Sequence, residues 1–205
     1  MNNLGKGILF VISGPSGVGK GTILAQVFKH IRGLCYSVSM TTRKPREGEI
    51  DKVNYYFVSK EEFEKTIQED GFYEYVNVLG NYYGTPKKAV MEKIAKGNDV
   101  VLEIETIGAK KVKDSKPDNL VSIFIAPPTL DELKARLSGR GTEDETQVKK
   151  RMEKSKVEMT EAFDYDYIVI NDDVTRCAMD IIDIIDAERM RVNRNKDLIN
   201  EIINK

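Results

Sequence analysis

Apolar positions fall into short continuous runs separated by helical-period stretches. Gly7-Ile-Leu-Phe-Val-Ile-Ser13 is apolar at nearly every position and rich in β-branched residues, the pattern of a parallel strand covered on both faces. After the glycine-rich segment Gly14–Gly21, apolar residues Ile23, Leu24, Val27, Phe28 and Ile31 recur at helical spacing. Cys35–Ser39 and Tyr55–Val58 read as strands, and Ser59 followed by Glu62 marks a helix start, with the helix running through Ile67. Phe72–Val78 and Tyr82-Tyr83, joined across Gly80-Asn81, predict an antiparallel hairpin.

Alternation of strand and helix then resumes. A helix is predicted over Pro86–Lys96, ending at Gly97, then a strand over Asp99–Ile104 and another over Leu120–Ala126, stopped by Pro127-Pro128. Helices follow at Leu130–Leu137 and about Glu143–Glu161, a last strand at Tyr167–Ile170, and one C-terminal helix from Val174 onward. This rhythm predicts an α/β fold with a doubly wound parallel sheet flanked by helices. A β-rich insertion is expected at about 39–85 and a helical segment at about 130–152, within a single domain whose core comprises 1–38, 86–129 and 153–205.

Composition narrows the chemistry. The 205 residues carry 32 basic and 33 acidic side chains, a formal net charge of −1, which gives no overall basic field for nucleic acid or membrane surfaces. Hydrophobic residues at 40% supply a core. Cys35 and Cys177 stand far apart without metal-ligand spacing and read as free thiols of a reducing compartment. One histidine, His30, excludes histidine-rich metal sites and leaves little room for a Ser-His-Asp arrangement. The apolar run at Ile8–Ile12 is too short for a membrane span or secretory core, so a cytoplasmic location is expected.

Gly14-x4-Gly19-Lys20 has the spacing of a phosphate-binding loop, here Gly14, Pro15, Ser16, Gly17, Val18, Gly19, Lys20, Gly21 and Thr22. Glycines let backbone N–H groups converge on phosphate oxygens, and the following helix N-terminus adds positive partial charge. Lys20 supplies a full charge. The position after the lysine, usually Ser or Thr, is Gly21, with the hydroxyl one residue later at Thr22. A Mg²⁺ cofactor is therefore expected to be held mainly through nucleotide phosphates and waters.

Three further segments, Ser37-Val-Ser-Met-Thr-Thr-Arg-Lys-Pro-Arg-Glu-Gly-Glu49, Gly80-Asn-Tyr-Tyr-Gly84 and Gly139-Arg-Gly-Thr142, resemble those of catalytic, free-standing guanylate kinases, in the same order over nearly the whole chain. That resemblance implies a P-loop NTPase-type fold, ATP and GMP as substrates, and direct phosphoryl transfer from ATP to GMP, with dGMP also accepted. It implies a GMP phosphate site of Arg43, Arg46, Tyr55 and Tyr83, and guanine recognition by Glu74, Ser39 and Thr85. The pairing has a chemical logic, because guanine N1–H and N2–H₂ offer adjacent donors to one carboxylate and O6 needs a donor such as a hydroxyl. Glu103 and Glu105, two apart at the end of a strand, share one face at the crevice end of the sheet, and the resemblance implies that they lie near the acceptor nucleotide and the magnesium waters. By the same resemblance Arg136, Arg140 and Arg151 are lid arginines, catalytic together with Lys20 and Arg43, and Arg140 and Asn171 contact ATP. Ile107 stands where the family commonly has Gln. Two other functions fit parts of this pattern: a catalytically silent protein-binding module, which the retained loop lysine disfavours, and a kinase for another small phosphorylated acceptor, from which Glu74 discriminates.

Overall fold

A computed structural model describes residues 6–78, 80–138 and 145–204. Arg140, together with the rest of 139–144, lies outside the described residues.

Five parallel strands form the central sheet in the order β2-β7-β1-β8-β9: β1 Leu9–Ser13, β2 Leu34–Tyr36, β7 Asp99–Glu103, β8 Leu120–Ala126 and β9 Tyr167–Ile170. Every residue of β1 is buried, because side chains alternate between two covered faces. Ile8, Phe10 and Ile12 pack with Ile23, Leu24 and Val27 of α1 (Lys20–His30) and with Cys177, Ile181 and Ile185 of α7 (Val174–Arg189). Leu9 and Val11 face the other way, against Val90 of α3 (Lys87–Ala95) and Ala109 and Val112 of α4 (Thr106–Asp114). The sheet is doubly wound, as the alternation predicts.

The chain leaves β1 for the edge strand β2, returns to β7, and crosses to β8 on the opposite side of β1. Ligand crevices of open α/β sheets lie at the carboxyl ends of strands where connections diverge in this way. Here that end holds the glycine loop after Ser13 and, one strand across, Glu103, in register with Ile12.

A second, four-stranded sheet is inserted between β2 and α3, in the order β4-β3-β6-β5, with β3 Met40–Thr41, β4 Tyr56–Phe57, β5 Phe72–Val78 and β6 Asn81–Pro86. Its packing centre is aromatic. Phe63 of α2 (Lys60–Gln68) is fully buried and stacks on Phe72 at 4.4 Å and on Tyr82 at 5.2 Å. Ser59 caps α2 by accepting from the Glu62 amide at 3.1 Å, as the sequence predicts. The β5–β6 register slips between Phe72 and Tyr75, which re-aims the intervening Tyr73 and Glu74.

Three elements differ from expectation. Strand β3 is two residues long, too short for any alternation to show. Helix α4 was not legible, since Gly108 and three lysines interrupt its apolar positions Ala109 and Val112. The C-terminal helix breaks after Arg189; a 3-10 turn at Val192–Arg194 precedes α8 (Lys196–Ile203). The break is fixed by polar contacts: Asn195 Nδ2 donates to the carbonyls of Arg189 and Arg191, and buried Glu188 accepts from Tyr167, Arg191 and Arg194.

Candidate active site

The glycine loop closes tightly against its neighbours. Gly14 (φ 149°) lies so near β8 that a Cβ would sit 2.2 Å from the Ile125 carbonyl oxygen, and Gly19 (φ 97°) is in the left-handed region as the N-cap of α1. Both positions need glycine. The first turn of α1 carries no acidic side chain, so its amide dipoles are left for an external anion. Lys20 Nζ folds back onto the carbonyls of Gly14 at 2.6 Å and Pro15 at 3.3 Å. Burial pulls its pKa below the ordinary lysine value, against the opposing pull of Glu103, Glu158 and Glu105.

The loop is braced from outside. Asn171, at the end of β9, is buried and donates from Nδ2 to the Val18 carbonyl at 2.6 Å. Arg136 of α5 (Leu130–Ser138) pairs with Glu132 and donates to the Asn171 carbonyl at 2.9 Å and the Val18 carbonyl at 3.5 Å. Arg151 of α6 (Glu145–Thr160) donates to Ser16 Oγ at 2.6 Å. Both arginines thus reach the loop from the α5–α6 segment. Gly14, Ser16, Lys20, Glu103, Ile104, Glu105 and Glu158 line a cleft of about 190 Å³. Glu103 is exposed as a residue, yet the protein around its carboxyl raises its pKa, with Lys20 opposing.

A second cleft of about 320 Å³ opens between the two sheets, with Ser39, Tyr55, Thr85 and Glu103 among its lining residues. At its rim Arg43 makes a bidentate pair with Glu49, at 2.9 Å on both arms, and its guanidinium lies 5.4 Å from the Tyr55 ring centre. Glu49 also accepts from the Arg46 amide at 2.7 Å. The Arg43 hydrogen bonds, then that amide, pull the Glu49 carboxyl down to about 2, and Glu49, helped by Tyr83, pushes Arg43 upward. The Tyr55 and Tyr83 rings meet edge to face at 6.1 Å. Glu74 accepts from Thr85 Oγ1 at 2.7 Å. Burial raises its pKa, with Thr85 and Lys111 pulling the other way. Behind it lies Gly108 at the start of α4, where a Cβ would come within 3.3 Å of Glu74 Cγ.

Residues 6–188 match the sequence model of the guanylate kinase family. The chain belongs to that family. It is 50% identical over 196 residues to the guanylate kinase of Clostridioides difficile, covering 96% of this chain and 95% of that protein. It is 49% identical over 199 residues to the guanylate kinase of Latilactobacillus sakei, covering 97% and 98%. Among solved structures, the guanylate kinase of Anaplasma phagocytophilum superposes with a TM-score of 0.70 at 33% identity, over 93% of this chain and 90% of that one.

The residues that the guanylate kinase resemblance singled out therefore gather in two places. Gly14–Thr22, Arg136, Arg151 and Asn171 surround the loop, and Ser39, Arg43, Arg46, Tyr55, Glu74, Tyr83 and Thr85 stand on the inserted sheet and its approach. Glu103 lines both clefts, and Glu105 lines the one at the loop. Sequence reasoning did not single out Glu49, Glu132, Lys154 or Glu158. For Glu158 a signal existed: it stands seven residues after Arg151, on the same helix face.

Proposed function

We propose that the protein transfers the γ-phosphoryl group of ATP to GMP, giving ADP and GDP, with ATP on the loop Gly14–Thr22 and GMP in the cleft between the sheets. Family membership supports the reaction. The observation that carries the placement is that Glu103, at the end of β7, lines both clefts, so two nucleotides bound there approach each other head to head. Glu74 with Thr85 offers guanine a carboxylate and a hydroxyl, and Arg43, Arg46, Tyr55 and Tyr83 offer its phosphate donors. Adenine lacks the paired donors and would leave a partly buried carboxylate unmatched.

Transfer is direct and in line. A GMP phosphate oxygen is already a nucleophile, so the protein supplies positioning and charge rather than a base. Lys20 leaves its loop carbonyls for the transferred phosphate, while Arg136 and Arg151, with Arg140, close over the reacting groups and exclude water. The inserted sheet at about 39–85 and the segment at about 130–152 are the parts that close.

Magnesium fits the residues present. Gly21 supplies no hydroxyl, and among the described residues no three acidic, histidine or cysteine groups converge as direct ligands. Glu103 and Glu105 nevertheless face the loop cleft. This donor set suits an ion that keeps its waters and rides on the nucleotide phosphates. The ion would supply charge neutralisation on the transferring phosphate. Free Cys35 and Cys177 agree with a reducing, cytoplasmic setting, and among the described residues no helix is long and apolar enough to cross a membrane.

The test is an acceptor screen by coupled ADP release with magnesium and ATP. GMP, and secondarily dGMP, should be phosphorylated with AMP inert; turnover of AMP in preference to GMP refutes the assignment.

A further inference from the structure

Helix α6 carries Arg151, Lys154 and Glu158 on one face at helical spacing, and through them meets the nucleotide loop and its cleft. Lys154 Nζ lies 2.9 Å from Glu105 Oε2 and 3.4 Å from Glu158 Oε1, tying the helix to the segment just beyond β7. Glu158 is only 5% exposed, and its Oε2 is buried with no hydrogen-bond partner in the protein. A buried carboxylate oxygen without a donor is costly. The Glu158 residue lines the loop cleft with Lys20, Glu103 and Glu105, and its charge is felt at Lys20.

We propose that Glu158 is a further positioning residue of the transfer site, accepting from a water carried by the nucleotide's divalent ion. Lys154 is its internal counter-cation, bridging Glu105 and Glu158 until that ion takes its place. The inference rests on the magnesium–nucleotide reading above. A hydrated dication outcompetes one ammonium for two carboxylates, and Lys154 is half-exposed on a flexible stem, so its release costs little. Arrival of the metal then exchanges a lysine tether for a metal-mediated one, and by linkage the position of α6 and metal affinity bias each other.

The test compares, by calorimetry, the affinity for a non-hydrolysable ATP analogue with Mg²⁺ and with excess EDTA. In the parent protein the metal should strengthen binding. Glu158→Gln should cut that metal-dependent gain about 10-fold, as loss of a group orienting metal ligands does; the ratio of the two affinities is the readout, because a charge lost beside Lys20 shifts both. Lys154→Met should raise the gain about three-fold, the scale of one exposed ion pair, and Lys154→Arg should restore the parent ratio. If Glu158→Gln fails to fold by circular dichroism, the two Lys154 variants decide. A parent with no metal-dependent gain overturns the magnesium reading itself. A parent with the gain, but variants that all keep its ratio, overturns this inference alone.

Discussion

Glu74→Gln isolates base recognition with almost no change of shape. The carboxylate has room for about four hydrogen bonds, and Thr85 uses one of them, at 2.7 Å on Oε1. Guanine N1–H and N2–H take two more in the proposed complex. Glutamine keeps one acceptor oxygen and turns an N–H₂ toward a guanine donor, so at least one charge-assisted bond is lost. Such a bond is worth about 1.5–3 kcal/mol, which predicts a rise in the KM for GMP of roughly 10- to 150-fold. The KM for ATP should not move. The assay is ADP release coupled to NADH oxidation, varying each nucleotide at saturating levels of the other. A thermal melt supplies the control. Burial raises the Glu74 pKa in the folded protein, so folding is favoured by its protonation and opposed by its charge. At pH 8 the neutral glutamine removes that opposition, and the variant should melt no lower than the parent. The difference should narrow as falling pH protonates Glu74. An unchanged KM for GMP, or equal rises for both nucleotides, would refute the assignment.

Lys20→Met should lower kcat by about 10²–10³-fold, the cost of removing one preorganised charge from a transfer site, with the circular dichroism spectrum retained. Gly19→Ala forces a side chain into the left-handed region and puts its Cβ 2.9 Å from Asn171 Nδ2; a destabilisation of about 1–2 kcal/mol is expected, with weaker ATP binding but normal GMP binding by calorimetry. Glu49, pulled down to about 2 by Arg43 and the Arg46 amide, contributes stability that is fully present above the unfolded glutamate pKa of about 4.3 and lost as pH falls toward 2. The melting temperature of the parent should therefore exceed that of Glu49→Gln at neutral pH and converge with it in acid; a gap that widens in acid contradicts the pairing.

The parts of the fold that carry strong periodicity were readable from the residues. The run at Gly7–Ser13 reads as a strand buried on both faces, and the spacing of Ile23, Leu24 and Val27 as a helix, and both are found. The glycine loop was legible because its backbone demands leave a compositional mark, visible here as φ values and close approaches at Gly14 and Gly19. Helix α4 left no such mark. Its buried face is narrow, and its lysines read as loop, so tertiary packing against β1 and β5 decides its form. The acceptor could not be read from the loop at all; motif order supplied it. The pairing of Glu49 with Arg43 stayed hidden because a carboxylate in a charged stretch looks like any surface residue until its partners in space are known, and Glu158 left only its helical spacing from Arg151 as a sign.

The short stretch from Glu103 to Gly108 joins the two clefts by covalent chain. Its first residues line the cleft at the glycine loop, and five positions later a bare Cα backs the carboxylate proposed to read the purine, with 3.3 Å between an imagined methyl there and Glu74 Cγ. A methyl at Gly108 would thus press on the Glu74 side chain from behind. With Glu74 reading the purine as proposed, a Gly108→Ala variant should retune nucleotide choice from a residue that need never touch a nucleotide.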